Sequence, residues 1–263
     1  MDFPGKVTVI TGGASGIGAA TARAFAKEGA RVIVADLNEA GAKAVADEID
    51  GIGIRCNVAQ ESDVNSLVRA VEAEFGRIDL FFSNAGVASG GDILDTEIDV
   101  WNTQWQVNLM AHVYAVRAVL PAMLSRGDGY LVHTASMAGI LTTHGNVPYA
   151  VTKHGVVGLA EWLSITYHDK GIRTSLLAPL GVNTPMLTGG DSSFANSSAA
   201  GPVKEAEEVA EMVVKAVKAE EFLILTDEIA QTWMDRKSGD LDRWLGGMRR
   251  LQGKIESARE QGI

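Results

Sequence analysis

Apolar residues along the chain gather into short, nearly continuous runs, separated by longer amphipathic stretches. KVTVIT (6–11), RVIVAD (31–36), IDLFFS (78–83), YLVHTAS (130–136), IRTSLLAP (172–179) and FLILT (222–226) read as strands, and GIRCNV (53–58) as a weaker one. A strand without polar alternation is one covered on both faces, as in a parallel sheet. Residues 16–29, 38–49, 61–75, 97–125, 148–170 and 205–219 carry helical patterning between them. This alternation predicts an α/β fold: one doubly wound parallel sheet of about seven strands flanked by helices, in a single domain over 1–263. Two stretches stand outside the rhythm. TGGDSSFANSSAAGP (188–202) follows the sixth strand, on the side where an open α/β sheet places its ligand crevice. It reads as a surface loop or as a mobile lid, with the lid taken as 184–202. Residues 227–263 read as a helical tail, whose Trp233 and Trp244 are expected in core or subunit contacts before substrate contacts.

Charge and composition narrow the partners. A net charge of −10 disfavours nucleic acid and anionic membranes, both of which are bound through basic patches. The single cysteine, Cys56, excludes an internal disulfide framework. The five histidines show no HExxH spacing, so no metal is expected. The N-terminal MDFPGKVTVITGG lacks a basic segment followed by a long apolar one, and no uninterrupted apolar run reaches the ~18 residues of a membrane span. A cytoplasmic protein is the expectation.

The segment between the first strand and first helix, TGGASGIG, carries glycines at 12, 13, 16 and 18. A pyrophosphate approaches backbone N–H groups at a helix N-terminus only where side chains do not block it. Gly12 would make the tight turn, Gly16 would permit the approach, and Gly18 would let the helix pack on the sheet. The alternative is a glycine-rich turn that serves packing alone. Asp36 ends the second strand, where a carboxylate accepts hydrogen bonds from the adenosine ribose and repels a 2′-phosphate. No Arg or Lys lies in GGASG or in DLNEA, so NAD is favoured over NADP.

VPYAVTKHG (147–155) reads as the first turn of a helix, where proline is tolerated. Tyr149 and Lys153 are then one turn apart on one face, ~6 Å along the axis. Ser136 lies at the end of the fifth strand, and Asn108 within the apolar-rich WNTQWQVNLMAHVYAV. With TGGASGIG, Asn84-Ala85-Gly86 and Y-x-x-x-K, the chain resembles the short-chain dehydrogenase/reductase family over nearly its whole length, in the single-domain branch. The resemblance implies a Rossmann-type fold and an NAD-dependent enzyme acting on CH–OH groups. A tyrosine, pKa ~10, is a poor base at neutral pH, and a neighbouring ammonium favours its phenolate. Tyr149 would be the general acid/base and Ser136 would hydrogen-bond the substrate oxygen. By resemblance, Lys153 also holds the nicotinamide ribose and Asn108 ties a water into a proton relay. Ser136 read alone could cap a turn, and Asn108 could be bonded locally. The resemblance further implies a cofactor site of Gly12, Ser15, Gly16, Ile17, Gly18, Asp36, Leu37, Asn57, Val58, Asn84, Ala85, Gly86, Pro179, Val182 and Thr184, with Tyr149 and Lys153.

Two positions depart from the family pattern. Asn57 stands where an Asp is common, which leaves an amide oxygen for the adenine amino group. Leu180 replaces a glycine in Pro179-Leu180-Gly181-Val182-Asn183-Thr184, and leucine does not readily take positive φ. The expectation is a narrower nicotinamide pocket, with Gly181 absorbing the backbone change. Met137, His144, Asn146, Leu180, Met186 and Leu187 are the expected substrate wall, which carries no Arg or Lys and so favours a hydrophobic secondary alcohol or ketone. His112, His133, His154 and His168 read as structural or surface residues. Gly155 and Gly158, unusual inside a helix, read as points of close approach by a sheet or a partner helix. By resemblance, helices 97–125 and 148–170 would pair in a dimer, and 205–226 would complete a homotetramer. Other readings are a non-catalytic NAD sensor, which the complete Asn108–Ser136–Tyr149–Lys153 set disfavours, and an NADPH-dependent ketoacyl reductase, which Asp36 disfavours.

Overall fold

The computed structural model describes residues 1–189 and 203–260. In chain order these form β1 (Val7–Thr11), α1 (Gly16–Lys27), β2 (Arg31–Asp36), α2 (Glu39–Glu48), β3 (Ile52–Arg55), α3 (Glu61–Phe75) and β4 (Leu80–Ser83). There follow α4 (Ile98–Trp105), a π-helical stretch (Gln106–Met110), α5 (Ala111–Arg126), β5 (Gly129–Thr134), α6 (Ala138–Leu141), α7 (Val147–Tyr167) and β6 (Ile172–Ala178). The last are β7 (Val182–Asn183), α8 (Pro185–Thr188), β8 (Lys204–Glu205), α9 (Ala206–Ala219), β9 (Leu223–Leu225), α10 (Glu228–Gly239) and α11 (Leu241–Glu260).

Seven strands form one parallel sheet in the order β3-β2-β1-β4-β5-β6-β9. The strand order reverses between β1 and β4, and a crevice opens at the strand C-termini at such a point. The apolar runs are continuous because both faces are covered. Val7 and Val9 of β1 pack with the α3 and α5 residues Val68, Val71 and Val119, while Ile10 joins Phe25 of α1 and Val213 of α9 on the other face.

Several boundaries differ from the sequence reading. The helix expected over 97–125 is three pieces, with the π stretch Gln106–Met110 between α4 and α5. A π turn carries one more residue per turn than its flanks, so it shifts which side chains face inward. The whole run Ile98–Arg126 is long and apolar enough by composition to cross a membrane. In this fold it is a core helix, with Ala111, Ala115, Val116 and Val119 buried against the sheet. Cys56, Asn57 and Val58 lie beyond the end of β3, and Ser136 beyond β5. The short pair β7–β8 and helices α6 and α8 were not foreseen. Most of the expected lid, 190–202, lies outside the described residues.

Gly155 serves packing within the chain, since a Cβ there would lie 2.9 Å from Leu109 Cδ2 in the π stretch; at Gly158 a Cβ would meet nothing within 4 Å. The C-terminal helices fold back over the C-terminal edge of the sheet. Trp233, Met234 and Trp244 pack on the buried cluster of Met137, Leu141, Ala178 and Ala230, and Lys237 Nζ donates to the Ile140 carbonyl of α6.

Candidate active site

The glycine segment closes tightly onto β4. Gly12 has φ 64° and Gly16 has φ 52°, a region that glycine enters without strain. A Cβ at Gly12 would stand 2.7 Å from Ala85 Cα, and one at Gly18 would stand 2.1 Å from the Gly12 carbonyl oxygen. Gly18 is thus a packing residue and does not line the cavity, whereas Gly12, Ser15, Gly16 and Ile17 do. Asp36 accepts from Ala14 N at 3.1 Å and from Asn38 N at 2.9 Å, which fixes its carboxylate between the loop and the start of α2. Asn84 ties the two strand ends together through its Nδ2, which donates to Thr11 O at 3.1 Å, while Thr134 Oγ1 donates to its Oδ1 at 3.0 Å.

One cavity of about 1350 Å³ runs from Gly12, Asp36, Leu37, Asn57 and Val58, past Asn84, Ala85 and Gly86, to Ser136, Tyr149 and Lys153. Its length, its glycine-lined end and its strand-end carboxylate fit an extended dinucleotide. Pro179, Val182 and Thr184 line it opposite the glycine loop, where a Cβ at Gly16 would touch Thr184 Cγ2 at 2.9 Å.

At the inner end, Tyr149 stands in the first turn of α7. Its backbone N donates to Asn146 Oδ1 at 3.1 Å, so Asn146 is the N-cap. Burial raises the Tyr149 phenol above its ordinary value, and a hydrogen bond with Ser136 pulls it back. This differs from the expected acidification by Lys153, because the phenol is desolvated and that cost is the larger effect. Lys153 is buried too, and burial pushes its ammonium down to about 7. Its Nζ donates to Thr134 O at 2.8 Å and lies 5.6 Å from the Tyr149 ring centre. Ser136 Oγ accepts from Ala138 N at 3.1 Å and reaches Pro179 O at 3.4 Å.

Asn108 occupies the π stretch and is fully buried. Its Nδ2 donates to Val87 O at 2.8 Å and to Gln104 Oε1 at 2.6 Å, and its Oδ1 accepts from Val87 N at 2.8 Å. A Cβ at Gly86 would lie 3.3 Å from Asn108 Oδ1 and 3.6 Å from Lys153 Nζ, so both side chains flank the same spot. Gln104, absent from the sequence expectations, joins Asn108 to Asn146, Oδ1 of which lies 3.4 Å from Gln104 Nε2. Three buried amides therefore connect the π stretch to the cap beneath Tyr149. Gln104 stands one turn before Asn108 on one helix face, which is the signal that could have found it.

Behind Lys153, His112 and His133 are both buried, with their Nδ1 atoms 3.0 Å apart. Burial holds His112 well below the usual imidazole range and pushes His133 down to about 4.

A family model described as short chain dehydrogenase matches residues 6–193. The chain belongs to the short-chain dehydrogenase/reductase family. The dehydrogenase is 36% identical over 187 residues to 2,5-dichloro-2,5-cyclohexadiene-1,4-diol dehydrogenase LinX of Sphingobium indicum, covering 69% of this chain and 75% of that one. It is 37% identical over 193 residues to the cyclohexanol dehydrogenase of an Acinetobacter species, covering 70% and 76%. The crystal structure of a short chain dehydrogenase/reductase from Burkholderia phymatum in complex with NAD superposes with a TM-score of 0.85 at 28% identity, covering 92% of this chain and 96% of that one.

In this dehydrogenase the cavity continues beyond Tyr149. Met137, His144, Leu180, Met186 and Leu187, the residues read from the sequence as a substrate wall, line it. Asn146 does not: it is buried, and its Nδ2 donates to Ala88 O and Ser89 O, so it is consumed as a cap. The C-terminal helices add to the wall, with Trp233 and Arg236 of α10 and Trp244, Met248 and Leu251 of α11. The two tryptophans thus combine core packing with cavity lining. Arg236 places a cation at a wall that was expected to have none. Leu180 keeps negative φ, as does Gly181, so the substitution for glycine strains neither residue. The Leu180 N donates to Thr226 Oγ1 at 3.1 Å, and its side chain joins the apolar cluster with Trp233 and Trp244.

Proposed function

We propose that the enzyme oxidises a secondary alcohol, or reduces the matching ketone, with NAD(H), and that the substrate is hydrophobic and alicyclic. The observation that carries this is the convergence of Ser136, Tyr149 and Lys153 at the inner end of the cavity that begins at Gly12, Gly16 and Asp36. NAD, when bound, supplies the acceptor for the hydride. Ser136 Oγ orients the substrate oxygen and offsets charge developing on it. Tyr149 takes the alcohol proton in oxidation and returns it in reduction. Lys153, buried one turn along α7 from Tyr149, holds the ribose, and the hydrogen bond with Ser136 lowers the phenol. Asn108 supports the relay by fixing Gly86 and Val87 beside Lys153.

Asp36 supports NAD over NADP, because its carboxylate is already aligned at the end of β2 and repels a 2′-phosphate. The apolar wall of Met137, Leu180, Trp233 and Trp244 supports a hydrophobic substrate, and relatives named for cyclohexanol and a cyclohexadienediol support a six-membered ring. Val151, Trp162 and Ile165 of α7 and Ile98 and Trp105 of α4 expose apolar area, which supports a homo-oligomer, dimer or tetramer, built on these helices.

A panel of cyclic and linear secondary alcohols and ketones, assayed with NAD and NADP by nicotinamide absorbance, tests the reading. Reduction of NAD by an alicyclic alcohol is expected. Turnover of none of them, or equal use of both cofactors, would overturn it.

A further inference from the structure

Among the described residues, the Asp, Glu, Lys and Arg side chains that line the cavity are Asp36, Lys153 and Arg236. The first two are committed. Asp36 accepts from Ala14 N and Asn38 N, and Lys153 donates to Thr134 O. The Arg236 guanidinium has neither an ion pair nor a hydrogen bond among the described residues. It is a free cation in a wall made largely of methionine, leucine and tryptophan side chains.

The helix sets the direction of that side chain. Ala230 and Met234 of α10 belong to the apolar cluster with Met137 and Leu141, and Lys237 Nζ donates to the Ile140 carbonyl. These three residues hold α10 on the fold, and none of them lines the cavity. Trp233 and Arg236 do line it, and residues three apart are neighbours on a helix surface. The flank of α10 turned to the cavity is therefore the one that carries Trp233 and Arg236. Arg236 is also exposed, so it leaves the helix at the cavity mouth, open to solvent and to the interior.

Helix α11, whose Trp244, Met248 and Leu251 line the same wall, adds to the field. Arg243, Arg250 and Lys254, at i, i+7 and i+11, follow one flank of it. All three are exposed, and none has an ion pair among the described residues. Asp235 and Glu256 take amide donors from Gln231 and Gln252, so neither neutralises a cation. In a chain of net charge −10, the helices at this end of the cavity thus present unpaired positive charge, which raises the local concentration of anions.

We propose that Arg236 is the recognition point for a carboxylate on the substrate, remote from the carbon that exchanges hydride. One guanidinium matches one carboxylate in charge and, through two parallel N–H bonds, in shape. The substrate class is then an alicyclic hydroxy acid, with its ring on Met137, Leu180, Trp233 and Trp244 and its carboxylate at Arg236. In oxidation the alcohol carbon passes a hydride to NAD, the hydroxyl proton goes to Tyr149, and the carboxylate is unchanged. This rests on the dehydrogenase reading above.

The test uses the full chain with NAD. It compares the cis and trans isomers of 3- and 4-hydroxycyclohexanecarboxylate with the matching carboxamides, which keep the shape and lose the charge. For one isomer, kcat/KM is expected about tenfold above that of its carboxamide, through KM, and the excess should shrink as salt rises. Arg236→Met should bring the acid down to its carboxamide, and Arg236→Lys should keep part of the excess. Calorimetric NAD affinity should hold in both variants. Equal kcat/KM for every acid and its carboxamide, or an excess that survives Arg236→Met, would overturn the proposal. So would an equal fall in NAD affinity, which would assign Arg236 to the cofactor. Each of these outcomes leaves the dehydrogenase reading standing. Turnover of no probe would strike that reading, and this inference with it.

Discussion

The Lys153 ammonium lies 5.6 Å from the centre of the Tyr149 ring and donates away from it, to the Thr134 carbonyl at 2.8 Å. Lysine and tyrosine share one buried space, and burial moves them in opposite directions, the phenol up and the ammonium down to about 7. Burial therefore favours the neutral form of each, and at the phenol a hydrogen bond with Ser136 offsets part of that preference.

Tyr149→Phe removes the phenol without disturbing the cap, since the Asn146 bond goes to the Tyr149 backbone. Turnover is expected to fall by about 10²–10⁴ while NAD affinity changes little. Initial rates and calorimetric NAD titration check this, and surviving turnover would show that another group moves the proton.

Lys153→Met should change how stability depends on pH. The folded-state value of Lys153 is about 7 against an ordinary 10.5, so between these the unfolded chain holds a proton that the folded chain has released. Stability from this group therefore rises with pH across that window and is lowest below it. The Tm of the unmutated protein relative to Lys153→Met is expected to climb from just below pH 7 to 10.5. A flat difference in thermal scans would show that the ammonium pays no burial penalty.

Asp36→Ala removes both the ribose acceptor and the negative charge facing a 2′-phosphate. The NADP/NAD ratio of kcat/KM is expected to rise about 10- to 100-fold, with part of the change coming from weaker NAD binding. The loop contact to Ala14 N is lost as well, so NAD itself should bind less tightly. An unchanged ratio would assign cofactor choice elsewhere.

Asn146→Ala deletes the cap of α7 and takes the Asn146 donor from the Ala88 carbonyl, while the Ser89 carbonyl keeps that of Gln104 Nε2. A loss of ~2–3 kcal/mol in stability is expected, from the cap and the orphaned acceptor together. A fall in Tm together with a fall in kcat, at similar NAD affinity, would mark Asn146 as the support of Tyr149. A stable variant with altered substrate range would restore it to the substrate wall.

The sheet and the glycine end of the cavity were legible because their signals are local. Continuous apolar runs such as RVIVAD announce covered strands, and Gly12 and Gly16 announce backbone that approaches closely. Asn146 was misjudged although its sequence signal was present: an Asn two residues before a Pro is a helix start, and a cap spends its side chain on the backbone. The π stretch around Asn108 was not legible, because it is defined by which carbonyl each N–H reaches and not by composition. Leu180 looked strained only because glycine was expected there; its φ is ordinary. For the tail, Trp244, Met248 and Leu251 announce a helix with one apolar face. Nothing local says which distant surface that face covers, and so its place over the cavity appears only in the fold.

Placing the far wall on α10 and α11 separates two kinds of information along the chain. The stretch that carries the family pattern, residues 6–193, holds the glycine loop and the Ser136–Tyr149–Lys153 set, whereas Trp233, Arg236, Trp244, Met248 and Leu251 all lie after it. Met137, His144, Leu180, Met186 and Leu187, on the near side of the same cavity, lie within that stretch. The cavity is therefore composite, and its far side can change in shape and charge through the last two helices while the stretch that carries the family pattern stays as it is.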